Sequence, residues 1–267
     1  MPLAGVAGNQ ISYERSGSGE PLLLIMGMSG TAEHWGEPFL AELRRDFEVI
    51  VYDHRGVGGS TPLQGPITIA DMAKDAAGLL QALGVDSAHV LGISMGGMVA
   101  QELALAHPER VRTLTLGCTY CGGEGSALAT PEVTQKLTEA MLSGDRLRAL
   151  RAAWELNVSP AMAENEEAYA RFLDIGQRHA VAVPVIVAQM QAILSHDTCA
   201  RLPDLAMPTL VIHGTEDQML PVGNGRLIAR LVPGAQLEVL EGVGHMFVWE
   251  MPEHSAQLLR AHSSVPA

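Results

Sequence analysis

Between residues 20 and 120, short apolar runs alternate with stretches in which apolar side chains recur every three or four positions. That alternation is the pattern of a parallel sheet covered by helices on both faces. Residues 22–26, 47–53, 89–93 and 111–116 read as strands. Between the second and third of these, Thr68 reads as the N-cap of a helix running through Met72, Leu79 and Leu80 to a stop near Gly84. Ahead of the first, residues 3–15 read as a polar hairpin.

The strand signal stops after Gly123, and helical spacing takes over from Thr130 to about Leu202. Thr130-Pro131 pairs a cap with a first-turn proline, Gly144 is a stop and Asp145 a second start. Two further helices are expected around residues 164–178 and 184–195. The alternation then resumes, with strands at 208–213 and 236–241 and a helix at 223–231 between them. The expected architecture is α/β, a mostly parallel twisted sheet with helices on both faces. Residues 1–123 and 203–267 supply the core, and a helical cap, 124–202, is inserted into it. No internal repeat or low-complexity linker appears, and residues 262–267 are expected to fray.

Composition narrows the partners. The 267 residues are 47% hydrophobic, enough to close a sizeable core. Seventeen Lys and Arg against thirty Asp and Glu give a formal charge of −13, which disfavours nucleic-acid phosphates and anionic membrane surfaces. The N-terminus lacks the charged start and apolar run of a secretory signal, and no later segment supplies the ~18 unbroken apolar residues of a membrane span. The expectation is a cytoplasmic protein whose oligomeric state the sequence leaves open, a homodimer included. Three cysteines cannot all pair, and Cys118 and Cys121 have no second Cys or His pair to complete a zinc site. They read as buried thiols, and no metal is expected.

One polar residue sits at the junction of two apolar patterns, in HVLGISMGGMVAQELALAH. Strand-like residues 90–93 lead to Ser94, and helical spacing begins at Met95. A serine there could cap the helix and do nothing more. At a strained strand-to-helix elbow it would instead be lifted toward solvent, with Gly92 and Gly96 providing the small neighbours such a turn requires. The second reading makes a demand on the rest of the chain, because a serine hydroxyl needs an imidazole to take its proton and a carboxylate to orient that imidazole. Asp217 follows the strand at 208–213, and His245 follows the strand at 236–241, each at a carboxyl end. Glu216, beside Asp217, and Glu124, past the strand at 111–116, are the other acids in comparable positions.

With these residues in place, the chain resembles the α/β-hydrolase fold superfamily from residue 10 to about 260. It is similar to the small capped esterases and lactonases, a group that includes 3-oxoadipate enol-lactonases and aclacinomycin methylesterase-like proteins. The segments carrying the likeness are LLLIMG, VIVYDHRGVGGS, LGISMGG, PTLVIHGTED and GVGHMFVWEMPE. The resemblance implies Ser94 as nucleophile, His245 as base, Asp217 as acid, and the backbone N–H groups of Met28 and Met95 as oxyanion donors. It also implies a small ester or lactone as the partner molecule, with no cofactor. Carbon–carbon bond hydrolysis, perhydrolysis, aminopeptidase action and non-catalytic ligand binding are the other uses of such a fold. Many relatives carry His-Gly in the first loop where this chain has Met26-Gly27. Asp53 and Arg55 are expected to brace their turn, and Trp154, Phe172 and Met190 of the helical block are candidates for an apolar substrate pocket.

Overall fold

The computed structural model describes residues 1–265. In chain order the core opens with β1 (Leu3–Val6), β2 (Asn9–Gly17), β3 (Glu20–Ile25), α1 (Glu37–Leu43) and β4 (Phe47–Tyr52). It continues with α2 (Ile69–Ala82), β5 (Ala88–Ile93), α3 (Met95–Ala106) and β6 (Val111–Gly117). Five helices follow: α4 (Pro131–Leu142), α5 (Arg146–Asn157), α6 (Pro160–Ala163), α7 (Glu166–Arg178) and α8 (Val183–Leu194). The chain then returns to the sheet as β7 (Thr209–Gly214), α9 (Gly223–Leu231), β8 (Gln236–Leu240), α10 (Phe247–Glu250) and α11 (Pro252–Ser263).

The strands form one eight-stranded sheet in the order β1-β2-β4-β3-β5-β6-β7-β8. Pairing from β4 through β8 is parallel, and β1 and β2 add an antiparallel edge. Side chains alternate across the sheet as strand geometry requires. Leu23, Ile25, Val90 and Leu114 face α2, α3 and α9, whereas Leu22, Leu24, Leu91 and Ile212 face α1, α10 and α11. Burial on both faces is why β5 and β7 are buried along their whole length and mostly apolar rather than alternating.

Most boundaries follow from capping chemistry. Thr68 Oγ1 accepts the Asp71 N–H and Asp71 reaches back, a capping box that opens α2. The side chains of Thr130, Asp145 and Asn165 cap α4, α5 and α7 by accepting first-turn N–H groups, with no reciprocal bond, and Gly144 ends its turn at φ 73°. Three features depart from the sequence pattern. The predicted hairpin is real, turning through Ala7 and Gly8 at positive φ, but β2 extends it into the main sheet against β4. Second, α1 and the short α6 carry too few residues for a visible period. Third, the tail does not fray at His262. That residue is buried in α11 with Nε2 3.2 Å from the Leu114 carbonyl, and of the six tail positions Pro266 and Ala267 lie outside the described residues.

Candidate active site

Four loops meet at the carboxyl ends of the parallel strands: those after β3, β5, β7 and β8. The β5–α3 turn places Ser94 at φ 57° and ψ −125°, a conformation that L residues with a Cβ seldom adopt. Its backbone is fixed on both sides. The Ser94 N–H donates to Gly117 O at 2.9 Å, and its carbonyl accepts from Thr119 Oγ1 at 2.7 Å. The turn closes only because its flanks lack side chains. A Cβ on Gly92 would collide with the Gly96 carbonyl, and one on Gly96 with the Ile25 carbonyl at the end of β3. The Ser94 side chain makes no capping bond to α3. Its hydroxyl is therefore not spent on holding the helix, and Ser94 stays partly exposed.

The β3 loop comes up beside it. A Cβ built on Gly27 would stand 3.2 Å from Ser94 Cβ and 3.7 Å from its Oγ, so a side chain there would crowd the serine. His54 Nε2 lies 2.9 Å from the Met26 carbonyl, and Asp53 Oδ1 accepts the Ala32 N–H at 2.9 Å, bracing the loop at each end. Asp53 and Arg55 act as struts, the latter in an ion pair with buried Asp75 at 2.6 Å. Met28 lies in this loop, and Met95 is the first residue of α3, where the helix leaves its N–H groups unpaired. The loop is also tied from above: Ser29, at φ 61°, donates its N–H to Gln189 Oε1 of α8 at 2.9 Å.

On the far side Asp217 and His245 are in direct contact, with Nδ1 2.7 Å from Oδ2 and both side chains buried. The carboxylate is held by several donors. Oδ1 accepts the N–H groups of Met219 and Leu220, each at 2.9 Å, and His213 Nε2 stands 3.2 Å from Oδ2. Burial pushes the Asp217 carboxyl up, but His245 and His213 together overcome it and hold the group well below the usual carboxylate range. An ionised acceptor on Nδ1 fixes the tautomer, leaving Nε2 of His245 as a free acceptor. Among the described residues no hydrogen bond joins the Ser94 hydroxyl to His245. Between them runs the end of β6, where Gly117 holds Ser94 and the Cys118 thiol lies within 4.8 Å of the Asp217 and His245 donor atoms. Burial, reinforced by the Asp217 charge, pushes the Cys118 thiol up. Those three atoms are the one potential metal-ligand cluster among the described residues, and two of them are already bonded to each other.

Several residues enter this neighbourhood that sequence patterning did not single out for it. His213 reads as a strand residue and is one, yet its Nε2 also contacts Asp217 and the Leu220 carbonyl. Glu250 of α10 accepts the Gly244 N–H at 2.8 Å and the Ser159 N–H at 2.9 Å, fastening the His245 loop to the α5–α6 junction. Glu216 is exposed, as is Glu124, and neither is bonded to His245. Trp154 requires a correction. It is fully buried within a cluster of Val158, Ala168 and Phe172, with Trp249 edge-on at 5.8 Å, so it has no surface to offer a ligand. The apolar period that nominated it is the period of a helix core. Phe172 belongs to the same cluster, whereas Met190 keeps an exposed face on α8. The arginines of the inserted helices mostly meet local acids, Arg151 with Glu155 and Glu166, Arg171 with Glu167, and Arg178 with Asp174. A groove of about 590 Å³ between α1, α7 and Trp249 has none of Ser94, Asp217 or His245 in its walls.

Comparison with known proteins identifies the family to which this fold belongs. A family model described as alpha/beta hydrolase fold matches residues 20–252. The chain is 32% identical over 264 residues to a protein of Azorhizobium caulinodans named "Putative carbamate hydrolase RutD", covering 97% of each. Among solved structures, the enol-lactonase from Burkholderia xenovorans LB400 superposes with a TM-score of 0.86 at 25% identity, over 99% of this chain and 100% of that one. Est816, described as an N-acyl homoserine lactone degrading enzyme, gives 0.78 at 31% identity over 97% and 99%. No helix among the described residues is long and apolar enough to cross a membrane.

Proposed function

The chain belongs to the alpha/beta hydrolase fold family, and from that premise we propose that this hydrolase cleaves a small carboxylic ester or lactone through Ser94, His245 and Asp217. The observation carrying the proposal is the 2.7 Å bond from His245 Nδ1 to an Asp217 carboxylate that two backbone N–H groups hold in place. Together with a strained, uncapped serine at the end of β5, such a pair supports nucleophilic catalysis. Nε2 accepts the Ser94 proton as Oγ bonds to the substrate carbonyl carbon, and Asp217 stabilises the imidazolium that results. Charge developing on the carbonyl oxygen meets the N–H groups of Met28 and Met95. Collapse of the tetrahedral intermediate expels the alcohol, which takes the proton from Nε2. Water, deprotonated by the same nitrogen, then releases the acid from Ser94.

The segment 124–202 acts as the cap of this site, with α8 nearest the oxyanion loop through Gln189 and Met190 offering apolar surface. The relatives' names favour a carbonyl flanked by oxygen or nitrogen: a carbamate in one, lactones in two others. The test is labelling with a fluorophosphonate probe, followed by assays on p-nitrophenyl esters, acyl lactones and carbamates. Wild-type protein should take the label on Ser94. Ser94→Ala should stay folded, lose the label, and lose ester or lactone turnover by roughly 1,000-fold or more. Full turnover by the variant would overturn the assignment.

A further inference from the structure

Two thiols at the stem of the inserted helices have no part in the hydrolytic chemistry. Cys121 lies just beyond β6, where the chain leaves the sheet, and Cys199 lies just beyond α8, where it returns. Their Sγ atoms are 3.4 Å apart across a separation of 78 residues. The contact is built into the stem. Thr198, next to Cys199, donates its N–H to the Cys121 carbonyl at 2.8 Å, and its hydroxyl bonds Gln101 Oε1 at 2.5 Å. Gln101 in turn donates to the Tyr120 carbonyl at 3.1 Å, so both segments are fastened to α3. Gly122 and Gly123 allow the close approach: a Cβ on the first would collide with the His196 carbonyl, and one on the second would stand 2.9 Å from Cys199 Cβ.

We propose that Cys121 and Cys199 form an oxidative modification site, closed by a small peroxide into an intrachain disulfide across the stem. Sulfurs 3.4 Å apart have little more than an ångström to close to reach the bond length of about 2.05 Å. Cys199 is half-buried and Cys121 fully buried, so Cys199 meets the oxidant. Cys199 gives up its proton and its sulfur attacks one peroxide oxygen; the O–O bond breaks, a sulfenic acid forms, and the leaving hydroxide takes up the proton as one water. Cys121 then gives up its proton and attacks that sulfur, making the S–S bond and releasing the second water. The two sulfurs lose two electrons in total, and these reduce the peroxide. Burial pushes the Cys121 thiol up, which keeps it protonated until the sulfenic acid is beside it. The site stands independently of the hydrolytic assignment.

The purified protein is treated with hydrogen peroxide, blocked with iodoacetamide, digested without reduction and analysed by mass spectrometry. The peptides carrying Cys121 and Cys199 should appear joined, lighter by two hydrogens than their sum, and should separate with dithiothreitol. The link should persist in Cys118→Ser and vanish in both Cys121→Ser and Cys199→Ser, all three of which remain readable by circular dichroism as folded. Accumulation of Cys199 as sulfinic or sulfonic acid while Cys121 stays open to alkylation would overturn the proposal. So would a link that joins only separate chains.

Discussion

Ser94 is held in a conformation its own side chain disfavours, and the strain is imposed by neighbours that lack side chains. Gly96 is the sharper case, because a methyl there meets the Ile25 carbonyl, a backbone atom that cannot step aside without unpairing β3. Gly96→Ala should therefore lose at least ~2–3 kcal/mol of stability, read as a lower urea midpoint. A wild-type midpoint would mean the elbow is not confined in this way. Asp217 poses a different question, since its contribution is electrostatic rather than steric. Asp217→Asn preserves the shape and removes the charge that fixes the His245 tautomer. Turnover should fall by about four orders of magnitude with the fold intact. Retention of even a tenth of wild-type turnover would point to another acid.

At the scale of elements, the core was legible because burial on two faces and capping chemistry are both local. Thr68, Thr130 and Asp145 cap the helices their sequence positions indicate, and the strands leading to Ser94 and Asp217 are buried runs bounded by turns, while the one leading to His245 is a half-exposed edge strand. What the sequence could not yield are contacts between distant elements. Trp154 on a helical period looks the same whether it lines a pocket or fills the space against Trp249 and Phe172. Gln189 is another such case, since nothing in its neighbours reveals that it reaches back 160 residues to Ser29. That bond is the means by which α8 can hold the loop bearing the Met28 N–H. Gln189→Leu should lower kcat by roughly 10-fold or more while KM moves less, because a displaced oxyanion donor weakens the transition state above all. Gln189→Glu keeps an acceptor for the Ser29 N–H and should recover most of the loss. Equal kinetics for the leucine variant and wild type would show that the loop holds itself.

For the whole molecule, acid sets two effects against each other. With a formal charge of −13, the surface repels itself, and protonating carboxylates relieves that repulsion. In ~0.15 M salt this term is weak, because charges separated by more than about 8 Å are screened. The interior works the other way. Burial lowers His196 to about 4, and it also lowers His54 and His262. In the unfolded chain these rings titrate near about 6.5. Between those values the unfolded state binds protons that the folded state refuses, so stability falls as pH falls through that window. His196 alone accounts for roughly 3 kcal/mol across it, a large share of an ordinary domain's stability. Asp217 extends the loss further, since its depressed carboxyl contributes stability above the unfolded carboxylate range that disappears below it. Guanidinium unfolding should therefore shift to markedly lower midpoints between pH 7 and pH 5, and His196→Gln should flatten that dependence. A midpoint that holds steady or rises over this interval would mean that surface relief outweighs the buried rings.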